Sequence, residues 1–127
     1  MLTVAVIDDE RPALEEMCEY LQACEGIETI KAYYNPVMAL EEIKLWKPDV
    51  VFLDIHMPGM TGLVFAEKLL EYSPQTETVF VTAHNDYTWE AFELSATGYL
   101  LKPIKPERLQ VVIKRLLEHK QENQSKA

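Results

Sequence analysis

Side chains that could bind a metal ion or a phosphoryl group follow short apolar runs at four places in the chain. They are Asp8 with Asp9, Asp54, Thr82 and Lys102. Carboxylate oxygens are ligands that Mg²⁺ and Mn²⁺ prefer, and a carboxylate can also attack phosphorus to form an acyl phosphate. A hydroxyl and an ammonium group can bond the phosphoryl oxygens and neutralise their charge. Brought together, these groups can hold a divalent cation, accept a phosphoryl group and sense its arrival.

The elements around these side chains alternate between strand and helix. Apolar runs rich in β-branched residues predict strands at 2–7, 28–33, 49–53, 78–81 and 98–101. Helical periodicity predicts helices that begin near Pro12, Pro36, Leu63, His84 and Pro106. This order predicts an α/β fold, a doubly wound five-stranded parallel sheet flanked by five helices. Sites in such sheets lie at the carboxyl ends of the strands, so we expect the four places to share one edge.

The predicted helices differ in how clearly one face is apolar. The second and third have a regular apolar face, to which we assign Met38 and Leu70 among others. The fourth, predicted over 84–94, carries Tyr87, Trp89 and Phe92, which cannot all lie on one narrow stripe. Either this helix is deeply packed, or part of it forms an interface.

The composition predicts one acidic globular domain. The chain has 127 residues, is 48% hydrophobic and carries a net charge of −9. This balance argues against nucleic-acid contact by this chain, which needs clustered Lys and Arg. We see no apolar stretch of membrane length and no signal peptide, so we expect no membrane association and a cytoplasmic location. We expect the domain at 1–120 and a polar, fraying tail or the start of a linker at 121–127.

The cysteines and histidines do not have the spacing of a zinc site. Cys18 and Cys24 are expected to be reduced, structural thiols, with a disulfide or redox pair as the alternative. His119 is expected on the surface of the last helix.

Each reactive patch also has an ordinary interpretation when taken alone. Asp8 and Asp9 could be a solvated turn before a helix, where acids favour the N-terminal dipole. Thr82 could be an ordinary residue at a strand end, and Lys102 a surface lysine before a turn. Asp54 is harder to explain in this way, because it directly follows the apolar run Val-Val-Phe-Leu. The occurrence of all four patches at strand ends favours a common site.

Four stretches of the chain resemble the receiver domain of bacterial two-component response regulators. They lie at 6–10 (Val-Ile-Asp-Asp-Glu), 52–62 (Phe-Leu-Asp-Ile-His-Met-Pro-Gly-Met-Thr-Gly), 81–83 (Val-Thr-Ala) and 99–103 (Tyr-Leu-Leu-Lys-Pro). The resemblance runs from Leu2 to about Glu118. It implies the flavodoxin-like, CheY-like arrangement of the sheet, with strand order 2-1-3-4-5.

The resemblance also implies a specific site. Asp54 corresponds to the phosphoacceptor, and Mg²⁺, or Mn²⁺ in its place, would be bound by Asp8, Asp9, Asp54 and the backbone carbonyl of His56. The phosphoryl group would contact Thr82, Ala83 and Lys102. Thr82 and Tyr99 correspond to the switch pair, in which the tyrosine turns inward when the hydroxyl moves towards the phosphoryl group.

The resemblance further implies a function and partners. Receivers take a phosphoryl group from a sensor histidine kinase, speed its hydrolysis and otherwise act as switches, not as enzymes. Many dimerise on phosphorylation through the face of the fourth helix, fifth strand and fifth helix, the alternative here being a face used for packing alone. The stretch 91–104 is similar to receivers that precede LytTR-type DNA-binding domains. The chain could therefore be the N-terminal part of a transcriptional regulator or a complete single-domain regulator.

Some features leave alternatives open. His56 and His84 would flank the route to the phosphoryl group and alter its lifetime, or be merely solvated loop residues. Gly98 stands where many receivers carry Asp. The Lys102–Pro103 bond is expected to be trans, although a cis bond would aim the lysine inward. A Mg²⁺-dependent phosphohydrolase and a binding module that is not phosphorylated remain competing interpretations.

Overall fold

Five strands alternate with five helices in the computed structural model, which describes residues 1–126. The strands are β1 (Leu2–Ile7), β2 (Ile27–Tyr33), β3 (Val50–Leu53), β4 (Glu77–Thr82) and β5 (Gly98–Leu101). The helices are α1 (Arg11–Gln22), α2 (Pro36–Trp46), α3 (Gly62–Tyr72), α4 (Thr88–Glu93) and α5 (Pro106–Lys126). This order agrees with the predicted alternation.

All five strands form one parallel sheet. The order of the strands is β2-β1-β3-β4-β5, and every neighbouring pair is parallel. The predicted order 2-1-3-4-5 is confirmed. The chain changes direction across the sheet between β1 and β3, and ligands of such folds bind outside the carboxyl ends of the strands at this point.

Two apolar cores lie on opposite faces of the sheet. One is formed with α1 and α5, and the other with α2, α3 and α4. β3 shows how a central strand serves both, since Val50 and Phe52 belong to the first core while Val51 and Leu53 belong to the second. All four are fully buried, which explains why the run is apolar throughout rather than alternating.

The helix starts near the sheet edge are fixed by local side chains. The Asn35 side chain accepts hydrogen bonds from the backbone N–H groups of Val37 and Met38, at 3.0 and 3.2 Å, and so caps α2. The Thr61 side chain caps α3 by accepting from Val64 N–H at 3.2 Å. These caps place α2 and α3 within one residue of the predicted starts.

The fourth helix is shorter than predicted. It covers Thr88–Glu93, whereas 84–87 form a loop after β4. His84 cannot begin a helix here because its backbone is bonded elsewhere. Its N–H donates to Thr82 Oγ1 and its carbonyl accepts from the Tyr99 hydroxyl.

Other local expectations also differ from the structure. The Lys102–Pro103 peptide bond is cis, not trans; proline is the residue for which the two forms differ little in free energy. Met38 and Leu70, assigned to apolar helix faces, are 61% and 48% exposed. Each lies beside the row of buried residues on its helix. That row is only as wide as the contact between helix and sheet, so the neighbouring apolar side chains stay exposed.

The chain end and the cysteines can be described simply. α5 continues through Lys126, so the polar segment from residue 121 is helical as far as the structure describes it, and Ala127 lies outside the described residues. Cys18 and Cys24 are both free thiols, as expected. Burial raises the pKa of each. Among the described residues, no helix is long and apolar enough to cross a membrane.

Candidate functional site

The pairing of β1 with β3 brings two of the predicted carboxylates together. Ile7 pairs with Leu53 at the ends of these strands, so the next residues, Asp8 and Asp54, lie side by side. The Asp54 N–H donates to the Ile7 carbonyl at 3.1 Å, which continues the ladder by one more residue. The strand register therefore determines the neighbourhood of the two acids.

Asp8, Asp9 and Asp54 form a compact group of carboxylates. Each offers one oxygen, and these oxygens all lie within 4.8 Å of one another. Asp8 and Asp54 are buried, with exposed fractions of 5% and 7%. Close, poorly hydrated carboxylates repel one another unless a cation lies between them. Oxygen donors in this number suit Mg²⁺, which usually takes one or two carboxylates and completes its shell with water.

Lys102 bridges two of these acids. Its Nζ donates to Asp8 Oδ2 at 2.8 Å and to Asp54 Oδ2 at 3.1 Å. The lysine is held in place because its backbone N–H donates to the Thr82 carbonyl at 2.8 Å. Burial lowers the pKa of Lys102, but the hydrogen bond that its ammonium donates to Asp8 and the negative charges of Asp54 and Asp8 outweigh burial, so the net shift is upwards. We call Asp8, Asp9, Asp54 and Lys102 the carboxyl-edge site.

Backbone groups orient the acids further. The Ile55 N–H donates to Asp54 Oδ1 at 2.7 Å, and the Glu10 N–H donates to Asp8 Oδ1 at 3.0 Å. Each carboxylate thus bonds the backbone through one oxygen and Lys102 through the other. Contacts within the protein therefore fix the orientation of Asp8 and Asp54.

Gly62 is a structural residue of the site that the sequence did not single out for this purpose. Its N–H donates to the Ile55 carbonyl at 2.7 Å. A Cβ at this position would lie 2.0 Å from the backbone oxygen of Asp54. Only glycine allows the start of α3 to approach the loop after β3 this closely. In the sequence, the only indication of this requirement is that Gly62 directly follows Thr61, the residue that caps α3.

Thr82 and Tyr99 meet through the backbone of His84. Thr82 is fully buried at the end of β4, and its Oγ1 accepts from the His84 N–H at 3.3 Å. The Tyr99 hydroxyl donates to the His84 carbonyl at 2.5 Å, and its ring packs against Phe80. Burial raises the pKa of Tyr99, with further upward contributions from the charges of Asp86 and Glu90, against a backbone hydrogen bond from Tyr87.

The remaining predicted site residues lie at the rim. Ala83 is exposed directly after Thr82. His56 and His84 are exposed, and their ring centroids are 4.5 Å apart in an edge-to-face arrangement. The Tyr87 ring lies 5.1 Å from that of His56. The two histidines are therefore in contact with each other and with an aromatic ring, rather than isolated in solvent.

A second polar cluster at the opposite edge of the sheet was not predicted. Asp49, just before β3, accepts from the Thr3 N–H at 2.8 Å and from the Lys120 Nζ at 3.0 Å. Burial alone would raise the pKa of Asp49. The hydrogen bonds that Thr3 and Lys120 donate outweigh burial, so the pKa of Asp49 is lowered overall. Lys120 also donates to the Met1 carbonyl.

His119 belongs to the same cluster. Its Nδ1 lies 2.7 Å from Glu77 Oε1, and that oxygen also accepts from the Thr97 hydroxyl at 2.7 Å. The side chain is 40% exposed, so the expected surface position is only partly correct. We call Thr3, Asp49, Glu77, His119 and Lys120 the amino-edge cluster.

Known proteins share both the sequence and the fold of this chain. The family model described as the response regulator receiver domain matches residues 4–114. An uncharacterized response regulatory protein of Vibrio cholerae is 46% identical, over 98% of this chain and 53% of its own length. The positive alginate biosynthesis regulatory protein of Pseudomonas aeruginosa is 37% identical, over 90% of this chain and 46% of its own length. The chain thus spans about half the length of these relatives.

Solved receiver structures superpose closely on the chain. The response regulatory domain of protein mrkE from Klebsiella pneumoniae has a TM-score of 0.85 at 27% identity, covering 92% of this chain and 96% of that one. The BeF3-activated DrrB receiver domain has a TM-score of 0.81 at 28% identity, covering 93% and 98%. Family match, relatives and fold agree, and the chain belongs to the response regulator receiver family.

Proposed function

We propose that this chain is a phosphoacceptor switch in which Asp54 receives a phosphoryl group from a sensor histidine kinase. The observation that carries the proposal is the Lys102 ammonium bonded to both Asp54 and Asp8, with Asp9 beside them. Among the described side chains, the carboxyl-edge site thus contains three carboxylates and one ammonium group. A site with excess negative charge can take a divalent cation, and with it the charge of a phosphoryl group.

The chemistry assigned to each group follows from its contacts. The Asp54 oxygen attacks phosphorus, the P–N bond of the kinase phosphohistidine breaks, and the imidazole leaves. Mg²⁺, or Mn²⁺, held by Asp8, Asp9, Asp54 and the His56 carbonyl would supply charge neutralisation. Lys102 remains close enough to pair with the phosphoryl oxygens. Ala83, which is exposed directly after Thr82, and Thr82 itself are the other two proposed contacts.

The proposed output uses Thr82 and Tyr99. A phosphoryl group on Asp54 adds strong acceptors, and the Thr82 hydroxyl would donate to one of them. Movement of the Thr82 hydroxyl would remove the acceptor of the His84 N–H. The loop that contains His84 would then shift, and with it the His84 carbonyl that accepts from the Tyr99 hydroxyl. The surface beside Tyr99 would then favour one partner conformation. Thr82→Ala should leave phosphorylation intact and weaken the output.

The direct test is phosphorylation by acetyl phosphate with Mg²⁺, followed by phosphate-affinity electrophoresis or intact mass. We expect one phosphoryl group on the wild type and none on Asp54→Asn, which keeps the side-chain shape. Asp49→Asn is the matched control, because it makes the same substitution at a hydrogen-bonded carboxylate outside the site. Equal labelling of wild type and Asp54→Asn would refute the proposal. Turnover of added phosphate esters that Asp54→Asn abolishes would instead favour a phosphohydrolase.

We further propose a phosphorylation-dependent homodimer through the face of α4, β5 and α5. Trp89 and Phe92 are 67% and 74% exposed and stacked on each other at 6.0 Å, which excludes the deeply packed alternative for α4. Glu93 on α4 and Arg115 on α5 are also exposed, so a two-fold axis could pair acids with bases.

Sedimentation velocity with beryllofluoride should show a dimer that Trp89→Ala weakens. An unchanged sedimentation coefficient after addition of the activator would refute the proposed dimer.

The wider context also remains a proposal. We assign residues 1–120 to the receiver and 121–127 to a tail or linker. Among relatives of about twice this length are proteins named for transcriptional regulation in Salmonella typhi and for alginate biosynthesis regulation. This supports a place in the N-terminal part of a cytoplasmic transcriptional regulator, with nucleic acid contacted outside this chain. Phosphotransfer from candidate kinases, compared between wild type and Asp54→Asn, tests the partner.

A further inference from the structure

The backbone of His84 is held on both sides by the switch residues. Its N–H donates to Thr82 Oγ1 at 3.3 Å, and its carbonyl accepts from the Tyr99 hydroxyl at 2.5 Å. A displacement of His84 must therefore alter at least one of these bonds. A contact that restrains the His84 side chain therefore also restrains the hydrogen bonds from the His84 backbone to Thr82 and Tyr99.

The side chain of His84 contacts the loop after β3 that carries Asp54, Ile55 and His56, which we call the acceptor loop. Its ring centroid lies 4.5 Å from that of His56, with an interplanar angle of 69°, which is the edge-to-face geometry that aromatic rings prefer. His56 follows Asp54 by two residues. Between them, Ile55 donates its N–H to the Asp54 carboxylate and accepts from Gly62. The ring contact thus joins the loop after β3 to the loop after β4.

Tyr87 extends this contact to α4. Its ring centroid lies 5.1 Å from His56 and 6.5 Å from His84, and Tyr87 directly precedes the helix. The three-ring cluster of His56, His84 and Tyr87 therefore touches the acceptor loop, the switch residues and the start of α4.

We propose that the three-ring cluster transmits the state of Asp54 to Tyr99 and α4, with His84 as the positioning residue. This inference rests on the proposed function, because it adds a second route beside the hydroxyl of Thr82. The first route begins at a phosphoryl oxygen. The second begins at the acceptor loop, whose backbone is bonded to the Asp54 carboxylate, and it passes through side-chain rings instead of the phosphoryl group.

The indole N–H of Trp89 offers a readout of α4 that is independent of phosphorylation chemistry. The chain has two tryptophans, so Trp46 on α2 serves as an internal reference in the same NMR spectrum. Spectra are recorded before and after saturation with Mg²⁺ and beryllofluoride for wild type, His84→Ala, His84→Phe and His119→Ala. Phosphorylation of Asp54 by acetyl phosphate is measured separately by intact mass.

Loss of the ring should uncouple α4 while the site still fills. We expect His84→Ala to be phosphorylated normally but to reduce the activator-dependent shift of Trp89, because loss of one aromatic pair lowers the equilibrium constant for the change at α4 roughly two- to tenfold. His84→Phe should restore the shift, since it keeps a ring without an imidazole, and His119→Ala should not alter it. His56→Ala keeps the backbone carbonyl, and its effect should not add to that of His84→Ala.

The outcomes separate this inference from the proposed function. Normal phosphorylation with an unchanged Trp89 shift in His84→Ala overturns the coupling and leaves the proposed function standing. A reduced shift that His84→Phe fails to restore also overturns it, because a ring contact is then not the cause. A wild type that takes up no phosphoryl group overturns the proposed function and this inference together.

Discussion

The two edges of the sheet both gather charged side chains, but they balance those charges differently. At the carboxyl edge, Asp8 and Asp54 share the ammonium of Lys102, and the Asp9 carboxylate lies beside them. At the amino edge, Asp49 has Lys120 and Thr3, while Glu77 has His119 and Thr97. Asp49 and Glu77 at the amino edge therefore each have their own side-chain donors, whereas Asp8 and Asp54 at the carboxyl edge share one ammonium group.

This difference distinguishes an arrangement that stabilises the fold, at the amino edge, from one suited to binding a cation, at the carboxyl edge. Donors assigned to each acid lower the free energy of the folded chain without any ligand. Shared donors leave repulsion that a bound cation can relieve, and the relief appears as binding free energy. Comparing substitutions at the two edges is therefore a direct way to test which charges serve folding and which serve binding.

The largest contrast is expected between two lysines. Lys102→Met should lower the free energy of unfolding by about 3 kcal/mol without metal, because it leaves buried carboxylates uncompensated. Lys120→Met should cost about 1 kcal/mol, since its pair is partly exposed. Saturating Mg²⁺ should reduce the first loss and leave the second unchanged. Urea denaturation with and without Mg²⁺ measures both, and equal losses at the two edges would break the comparison.

Removing one acid from each edge should change stability in opposite directions. Asp49→Asn should lower the free energy of unfolding by about 2 kcal/mol, because the charged carboxylate accepts hydrogen bonds from Thr3 and Lys120. Asp9→Asn should raise it by about 1 kcal/mol in metal-free protein, because it relieves repulsion. Thermal and urea denaturation in the presence of a chelator provide the measurement. A destabilised Asp9→Asn would contradict an excess of negative charge at the carboxyl edge.

The edges should also lose their ion pairs at opposite ends of the pH scale. The pKa of Asp49 is lowered from 3.8, so its contribution is complete above that value and is lost as pH falls further. The pKa of Lys102 is raised from 10.5, so its contribution is complete below that value and is lost as pH rises further. The difference in unfolding free energy between wild type and Asp49→Asn should therefore shrink in acid, and that for Lys102→Met in alkali.

The smallest effect is expected for His119. His119→Gln removes a half-exposed contact to Glu77, which keeps the Thr97 hydroxyl as a donor. We expect a loss of about 0.5 kcal/mol in the free energy of unfolding, close to the size of a surface pair. A loss as large as that of Lys102→Met would mean that the amino-edge cluster acts as one cooperative network.

Much of the fold could be predicted because each strand carries its own signal. The run before Asp54 is buried on both faces, so all of it is apolar, and the order of such runs with helices between them predicts a parallel sheet. The position of Asp8 beside Asp54 then follows from the strand ends. The roles of these residues in phosphorylation stay predictions that the experiments above would test.

Other features depend on contacts that a linear pattern does not contain. Lys120 and Asp49 are 71 residues apart, and His119 and Glu77 are 42 apart, so nothing local indicates the amino-edge cluster. The start of α4 was predicted too early because the backbone of His84 is bonded to distant Tyr99. The need for Gly62 arises from the carbonyl of Asp54, which approaches it only in the folded chain.

The hydrogen bond from the Ile55 N–H to Asp54 Oδ1 has a practical consequence. An amide proton lies on the very carboxylate that is proposed to be modified, in a loop braced by Gly62. Its rate of exchange with deuterium is set by how often this loop opens and how strongly the carboxylate accepts. Conversion of the carboxylate to an acyl phosphate removes its negative charge and with it much of that acceptor strength. The Ile55 amide is thus a native isotope-exchange probe of Asp54 that requires no label and no substitution.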